Sequence, residues 1–197
     1  MEFYVNGNKI DIQLENEKTV GEVLKAFEEE CAKNNATTVS IFVDNVQVRA
    51  DTFDEVTKQP LTARTKIELG IVAQDEITSA FLQNAESCRE VAHELEQIPV
   101  QLQSSKDKDA NLVISHLADL VDDICHTSSL SALFPETYSR IRIGGKPIAD
   151  YFADLSAMLT EFERALETKD TVLVGDLAEY ELCPRLVAFA DAMEVLK

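Results

Sequence analysis

The sequence predicts an α+β protein, in which residues 1–73 form a small domain of strands around one helix and residues 74–197 form a bundle of about four helices. In the first part, short apolar runs are bounded by Gly, Asn and Asp, as in strands joined by turns. After Ala73 the apolar period changes to about three and a half, which indicates amphipathic helices. The length of 197 residues also allows each part to bury its own core.

The first predicted elements are a hairpin and a capped helix. Residues 3–5 and 10–14 have strand patterns, and the Asn-Gly-Asn turn at 6–8 supplies the positive φ angles that a tight hairpin needs. Thr19 and Glu22 fit a capping box, which predicts the start of a helix. The apolar side of that helix consists of Val20, Val23, Leu24, Phe27 and Cys31.

Three further strands are predicted, at residues 39–43, 46–48 and 66–69. The resulting order is strand, strand, helix, strand, strand, strand, which is that of a β-grasp domain. Residues 1–72 resemble the ubiquitin-like, sulfur-carrier type of β-grasp, chiefly through the hairpin VNGNKI and the helix start TVGEVLKAF. This resemblance covers a little over a third of the chain and implies a β-grasp fold there.

The chemistry of that family does not carry over. Its carriers work through a C-terminal Gly-Gly that is adenylated and thiolated or conjugated. Here Gly70 is followed by Ile71 and Val72 at the equivalent end. The pair Gly144 and Gly145 is internal and offers no free carboxylate, so the resemblance implies the fold and not the carrier activity.

The second part of the chain carries four amphipathic segments. Pro99 is expected to kink or end the first helix, and residues 104–108 read as a polar loop. Asp109 and Asp170 are predicted N-caps of the second and fourth helices, and Pro184 imposes a kink or a fresh start. The predicted inner faces are Ile77, Phe81, Asn84, Cys88, Val91, Leu95, Ile98 and Leu102; Val113, Leu117, Leu120, Val121 and Ile124; Ile148, Tyr151, Phe152, Leu155, Met158, Leu159, Phe162 and Leu166; and Leu173, Leu177, Tyr180, Leu182, Leu186, Phe189, Met193 and Leu196.

A second resemblance concerns the segment DTVLVGDLAEYELCP at residues 170–184, which is similar to the ending of bacterial proteins of unassigned function. It implies no activity.

The charge of the chain is strongly negative. There are 18 Lys and Arg against 36 Asp and Glu, which gives −18. Residues 1–73 carry 8 basic and 13 acidic side chains, or −5, whereas the remainder carries 10 and 23, or −13. Such a field repels nucleic acid and anionic lipid and attracts basic proteins, although solubility alone is an equally good reason for it. The predicted partner is a basic protein, with neither nucleic acid nor membrane.

The sequence also predicts a cytoplasmic location. It begins with a strand pattern and not with a basic and apolar leader, and it lacks an apolar run of about 20 residues. Its cysteines, Cys31, Cys88, Cys125 and Cys183, are widely spaced and form no Cys-x-x-Cys pair, which is typical of free thiols in a reducing compartment.

A di-metal carboxylate site is the sharpest enzymatic alternative. Glu90 with His93, and Asp123 with His126, place a carboxylate three residues before a His on two predicted helices, as ferritin-like sites do. Helical phase opposes this site, because at about 100° per residue both pairs fall on the side opposite the apolar seam. We therefore predict no metal and no cofactor.

A candidate anion-binding loop precedes the third helix. It consists of Arg140, Arg142, Gly144, Gly145 and Lys146, the one basic concentration in the acidic part of the sequence. Glycine amides before a helix can receive an anion. The simpler interpretation is that the two glycines only form the turn that precedes Pro147 and the helix, because no phosphate-binding motif is present.

Two acidic clusters are candidate protein-contact surfaces: Glu28, Glu29 and Glu30 near the end of the first helix, and Glu179 with Glu181 near Pro184. Each is either such a surface or a solvated face. The sequence contains no nucleophile elbow, and Cys125 and His126 diverge by about 100° on a helix. The predicted function is a protein-interaction module, such as an adaptor or chaperone for a basic or helical bacterial partner. A small-molecule or anion-responsive regulator and an enzyme with an unrecognised site are the alternatives.

Overall fold

A computed structural model describes residues 1–103 and 107–197 of the chain, which divide into two compact units, Met1–Glu76 and Ile77–Lys197. Most of the predicted polar loop, residues 104–106, lies outside the described residues. The α+β class and the helical second part are confirmed.

The N-terminal unit is a five-stranded mixed sheet with one long helix. The strands occur in the order β2-β1-β5-β3-β4; β1 and β5 run parallel, and the other neighbours run antiparallel. The parallel pair is possible because the crossover between β1 and β5 includes a helix. The elements are β1 Glu2–Val5, β2 Asn8–Lys9, α1 Val20–Lys33, β3 Ala36–Val43, β4 Val46–Gln47, α2 Phe53–Val56 and β5 Lys66–Ala73.

Both hairpins of this sheet close through residues with positive φ. Asn6 and Gly7 have φ angles of 47° and 78°, and Asp44 and Asn45 have angles of 51° and 66°. Positive φ at both central residues defines the turn whose twist matches that of the strands. The turn predicted at residues 6–8 is confirmed.

The predicted strand at residues 10–14 is wrong. β2 ends at Lys9, and the backbone of 10–14 forms no strand, although the Ile10 N–H still donates to the Phe3 carbonyl at 2.9 Å. Ile12 packs against the core, whereas Ile10 and Leu14 are 40% and 43% exposed. An irregular segment with alternating apolar residues can thus bury one side chain, here Ile12, although the strand does not continue.

Helix α1 begins at the predicted capping box. The Thr19 hydroxyl accepts from the Glu22 N–H, and the Glu22 carboxylate accepts from the Thr19 N–H at 3.1 Å. The inner face of α1 then packs on the sheet. The buried core of the unit consists of Phe3, Val5, Val20, Val23, Leu24, Val43, Ile67 and Leu69.

The C-terminal unit is helical apart from one small hairpin. The first three residues of α3 belong to the N-terminal unit. The helices are α3 Gln74–Leu95, α4 Ile98–Gln103, α5 Asp107–Ser131, α6 Pro135–Tyr138, α7 Ile148–Glu167, α8 Thr171–Asp176 and α9 Cys183–Met193; the hairpin is β6 Arg142–Ile143 with β7 Lys146–Pro147.

The predicted apolar seams lie largely in the core of this unit. Along α3, the residues Ile77, Phe81, Cys88 and Leu95 are at most 1% exposed. The polar member of that seam, Asn84, is buried and donates from Nδ2 to the Thr127 hydroxyl of α5 at 3.1 Å. A buried amide needs such a partner, and the partner explains why an asparagine occupies a core position.

The predicted helix ends are partly correct. The Asp170 carboxylate accepts from the Leu173 N–H at 3.1 Å, so it caps α8 as predicted. Asp109 is not an N-cap, because α5 already begins at Asp107. A π-helical segment, Leu177–Leu182, joins α8 to α9 just before Pro184. Its wide turn, in which the Cys183 N–H donates to the Ala178 carbonyl, is where the chain accommodates the proline ring.

No helix in the described ranges, 1–103 and 107–197, is both long enough and apolar enough to cross a bilayer.

Candidate functional site

An apolar depression of the N-terminal unit lies beside α1, and we call it the α1 groove. Its walls are Phe3, Ile12, Leu14, Val23 and Phe27, with Gln13, Glu17, Ala26 and Glu30 at the rim. Its volume is about 170 Å³. Ile12 and Leu14 of the irregular segment 10–14 line it together with Val23, Ala26 and Phe27 of α1.

A second depression of about 310 Å³ continues the groove along the same helix. It is lined by Asn16, Glu17, Glu22, Lys25, Ala26 and Glu29, so that Glu17 and Ala26 belong to both depressions. The apolar groove is therefore bordered on one side by carboxylates.

Hydrogen bonds hold two of these carboxylates in the charged form. N–H groups of Glu17 itself and of Glu15 lower the pKa of the Glu17 carboxyl below its ordinary value. The N–H groups of Lys18 and Thr19 do the same for the pKa of Glu22. Backbone donors stabilise the ionised form of a carboxyl, so Glu17 and Glu22 stay negative below their ordinary pKa range.

The first predicted contact cluster divides between two roles. Glu28 points to β3, where its carboxylate accepts from the Thr37 hydroxyl at 2.8 Å and the Thr38 hydroxyl at 2.6 Å. Glu29 and Glu30 are exposed; Glu30 lines the α1 groove and pairs with Lys33, and Glu29 lines the second depression, 4.0 Å from Lys25 Nζ. The sequence placed all three on one surface, but only two are available to a partner there.

In the second cluster, Glu181 is held within its own helical unit. Its carboxylate accepts from Arg185 Nη1 at 2.7 Å, and its carbonyl accepts from the same nitrogen at 2.8 Å. Glu179 is half-buried beside Tyr180, which is 65% exposed and whose pKa is raised by a hydrogen bond to Glu179.

The predicted anion-binding loop is the β6–β7 hairpin. Gly144 and Gly145 have φ angles of 57° and 81°, so they form its two-residue turn. Arg142 Nη1 donates to the carbonyls of Ser139 and Ile141, and Arg140 is exposed. Neither arginine lines the pocket beside the hairpin.

That pocket, called the hairpin pocket below, has a volume of about 220 Å³. Gly144 and Lys146 of the predicted loop line it together with Arg185 at the start of α9. The full lining is Ile143, Gly144, Lys146, Tyr151, Asp154, Pro184, Arg185 and Ala188.

Arg185 and Asp154 are the site residues that sequence reasoning missed. Arg185 Nε donates to Asp154 Oδ2 at 3.2 Å across 31 residues, a separation that no local pattern reveals. The spacing of Glu181 and Arg185, four residues apart, was a usable signal for the other half of this cluster. Leu14 and Ala26 of the α1 groove were also missed; Leu14 was missed because the sequence placed 10–14 in a strand.

The side chains of the proposed metal pairs point as helical phase predicts. Glu90, His93, Asp123 and His126 are all exposed. In the part of the chain that the structure describes, no three His, Cys, Asp or Glu side chains are grouped to hold a metal ion.

Comparison with known proteins relates both units to family models. Residues 1–73 match the model described as TP0873 N-terminal domain, and residues 79–192 match the Domain of unknown function (DUF8042). A relative in Treponema pallidum (strain Nichols), described as an uncharacterized protein, is 28% identical over 193 residues, which cover 98% of this chain and 96% of the relative. No solved structure matches the chain significantly.

Proposed function

The chain belongs to the DUF8042 family, and we propose that it is a cytoplasmic protein-interaction module whose α1 groove binds an apolar side chain of a basic partner segment. The observation that carries this proposal is the groove itself, in which apolar walls meet a rim of carboxylates.

The fold proposed for residues 1–73 is a β-grasp. The support is the topology: the parallel pair β1 and β5 lies at the centre of the order β2-β1-β5-β3-β4, with the single long helix α1 packed on one face. β5 continues directly into α3, so this module ends in a helix and not in a free Gly-Gly. A fused module of this kind is suited to binding and not to carrying.

The size of the α1 groove suits one large side chain. Burying a Leu or Phe side chain contributes about 1.5–3 kcal/mol, which corresponds to roughly tenfold to hundredfold in affinity. Leu14 supplies exposed apolar surface at the edge of the groove, so a partner side chain there covers Leu14 as well as filling the groove.

The rim determines the charge of the partner. Glu17, Glu22, Glu29 and Glu30 surround the two depressions, whereas Lys25 is the cation that lines them. A segment with Lys or Arg next to its apolar anchor is therefore attracted, and an acidic segment is repelled. Such rim charges act mainly on the association rate and are weakened by salt.

The proposed cytoplasmic location rests on the cysteines. All four are free, and Cys31, Cys88 and Cys183 are buried. Buried thiols without a disulfide partner are typical of a reducing compartment.

A peptide library displayed on phage and selected against the full chain tests the proposal. We expect enriched peptides to carry one large apolar residue with Lys or Arg close by, and a synthetic copy to bind with an affinity that falls as salt rises. Enrichment of acidic peptides, or no enrichment, contradicts the proposal.

Variants then locate the binding. Ala26 is exposed and lines both depressions, so Ala26→Trp fills the groove and is expected to weaken the peptide at least tenfold. Glu29→Lys with Glu30→Lys should reduce the salt dependence. Val195→Asp, which alters a 74% exposed apolar residue of the helical unit, is the control and should bind normally. If the peptide binds Ala26→Trp as tightly as the parent chain, it binds elsewhere, and the α1 groove is not the binding site.

A further inference from the structure

We propose that the hairpin pocket binds a small neutral α-amino acid and recognises both its carboxylate and its ammonium group. The pocket lies wholly in the helical unit, so this site is independent of the α1 groove.

The carboxylate end of such a ligand meets two cations. Lys146 and Arg185 both line the hairpin pocket. Arg185 uses Nε and Nη1 for Asp154 and Glu181, and within the described ranges its Nη2 donates to no protein group. Lys146 Nζ likewise has no ion pair with any described residue. An ammonium and the free Nη2 of a guanidinium suit a carboxylate.

The ammonium group of the ligand meets Asp154. The Oδ2 atom of Asp154 accepts from Arg185 Nε, and its Oδ1 atom has no donor among the residues that the structure describes. Asp154 lines the pocket and its side chain is 44% exposed, so the carboxylate is accessible to a ligand. An ionised carboxylate has room for several donors, and an ammonium supplies three.

The charge balance favours a zwitterion over a simple anion. The positive charges of Lys146 and Arg185 are matched by the negative charges of Asp154 and Glu181. An inorganic anion would be attracted to two of these groups and repelled by the other two. A molecule with one charge of each sign satisfies both ends.

The remaining walls fit an aliphatic side chain. Ile143 and Tyr151 are 2% and 5% exposed, and Pro184 and Ala188 also line the pocket. An engineered cavity of about 150 Å³ binds benzene, and the hairpin pocket has about 220 Å³. It therefore suits a molecule of the size of valine or leucine and not a nucleotide.

Local structure holds the polar groups in place before a ligand arrives. Arg185 is fixed through Nε and Nη1, and its carbonyl accepts from the Tyr151 hydroxyl at 3.2 Å. Burial raises the pKa of Tyr151, so its phenol remains a donor. The tight turn at Gly144 and Gly145 fixes the backbone of Lys146, which pairs with Ile143. Preorganised partners reduce the entropy lost on binding.

Isothermal titration of the full chain with L-alanine, L-valine and L-leucine tests the proposal. Two further compounds each carry half of the polar groups of leucine: 4-methylpentanoate lacks the ammonium, and 3-methylbutylamine lacks the carboxylate. We expect L-valine or L-leucine to bind and both halves to bind at least tenfold more weakly than leucine. If none of the three amino acids binds at 10 mM, the proposal is refuted. If 4-methylpentanoate or inorganic phosphate binds as tightly as leucine, the site is an anion site and the proposal is equally wrong.

Two variants and two matched controls place the ligand. Lys146→Ala and Asp154→Asn should each weaken amino-acid binding at least tenfold. Arg164→Ala and Glu161→Gln, which change exposed charges of α7 outside the pocket, should not. If Asp154→Asn binds the amino acid as tightly as the parent chain does, the proposed recognition of the ammonium group by Asp154 is overturned. If Asp154→Asn fails to fold, the comparison of leucine with its two halves on the parent chain decides.

Discussion

Glu28 Oε2 accepts a hydrogen bond from the Thr38 hydroxyl at 2.6 Å and another from the Thr38 N–H at 3.2 Å, which ties α1 to β3. β4 pairs only with Phe42 and Val43, at the end of β3. An unpaired strand edge is a template for aggregation. The Glu28 carboxylate thus covers a donor on the part of β3 that β4 leaves unpaired.

Replacement of Glu28 by Gln should destabilise the N-terminal unit in a pH-dependent way. Burial alone would raise the pKa of Glu28, but hydrogen bonds from Thr38 and Thr37 outweigh it and lower that pKa below 4.5. A carboxyl whose pKa is lowered in the folded protein stabilises the fold at pH values above its ordinary pKa. This stabilisation is lost as the pH falls through the pKa of the folded state. The expected loss in the free energy of unfolding is about 1 kcal/mol at pH 7.

Urea unfolding at pH 7 and at pH 3 measures this effect. The difference between the parent chain and Glu28→Gln should shrink at the lower pH. Glu29→Gln, at the exposed neighbouring position, is the control. A difference of equal size at both pH values would show that the charge of Glu28 does not matter.

Replacement of Gly21 by Ala should destabilise the protein although Ala is the better helix former. A Cβ at this position would lie 2.8 Å from Thr57 Cβ and 2.9 Å from the Thr57 carbonyl oxygen, which also accepts the Gly21 N–H. The cost of overpacking, about 1–3 kcal/mol, exceeds the gain in propensity, about 1 kcal/mol. Thermal unfolding should show a lower Tm, whereas Lys25→Ala on the exposed side of α1 should change it little. A Tm above that of the parent chain would refute the close contact.

The buried hydrogen bond between Asn84 and Thr127 should appear as a coupling energy. Thr127→Val removes the acceptor and leaves the amide of Asn84 buried without it, at a cost of about 1–3 kcal/mol. Asn84→Leu combined with Thr127→Val should cost less than the two single changes together. Urea unfolding of the four proteins completes the cycle, with Ser115→Val as an exposed control on α5. Strict additivity would mean that the two side chains do not depend on each other.

The four thiols should react in an order set by exposure. Cys125 is exposed, whereas Cys88 is fully buried and burial raises its pKa to about 12. Because the thiolate is the nucleophile, DTNB at pH 8 should label Cys125 in the native protein and Cys88 only after unfolding. Peptide mass spectrometry identifies the sites, and Cys125→Ser should remove the fast phase. Native labelling of Cys88 at the rate of Cys125 would be incompatible with this core.

Local signals in the sequence predicted the helices and turns well. The capping box at Thr19 and Glu22 and the cap at Asp170 depend on contacts within three residues, so the sequence contains the whole interaction. The seam of α3 was equally visible, because a helix face repeats in the sequence. The buried Asn84 appeared there as an unexplained polar member, since its partner Thr127 lies 43 residues away.

Both candidate sites depend on long-range packing and could be predicted only in part. Glu29 and Glu30 were recognised as available charge, but the apolar wall beside them arises because residues 10–14 fail to join the sheet. Lys146 was recognised as a cation. Its neighbours Arg185 and Asp154 come from two helices that meet only in the folded helical unit.

The π-helical segment Leu177–Leu182 has a consequence for comparing this chain with its relatives. A π-turn contains one residue more than the α-turn that would follow the same path. A relative that lacks one residue at this place can therefore have an ordinary α-helix there, with the counterparts of Leu186 and Phe189 still facing the core. A single-residue gap in an alignment of this segment marks a local change in helix type, and the residues beyond it, including Arg185, remain equivalent in space.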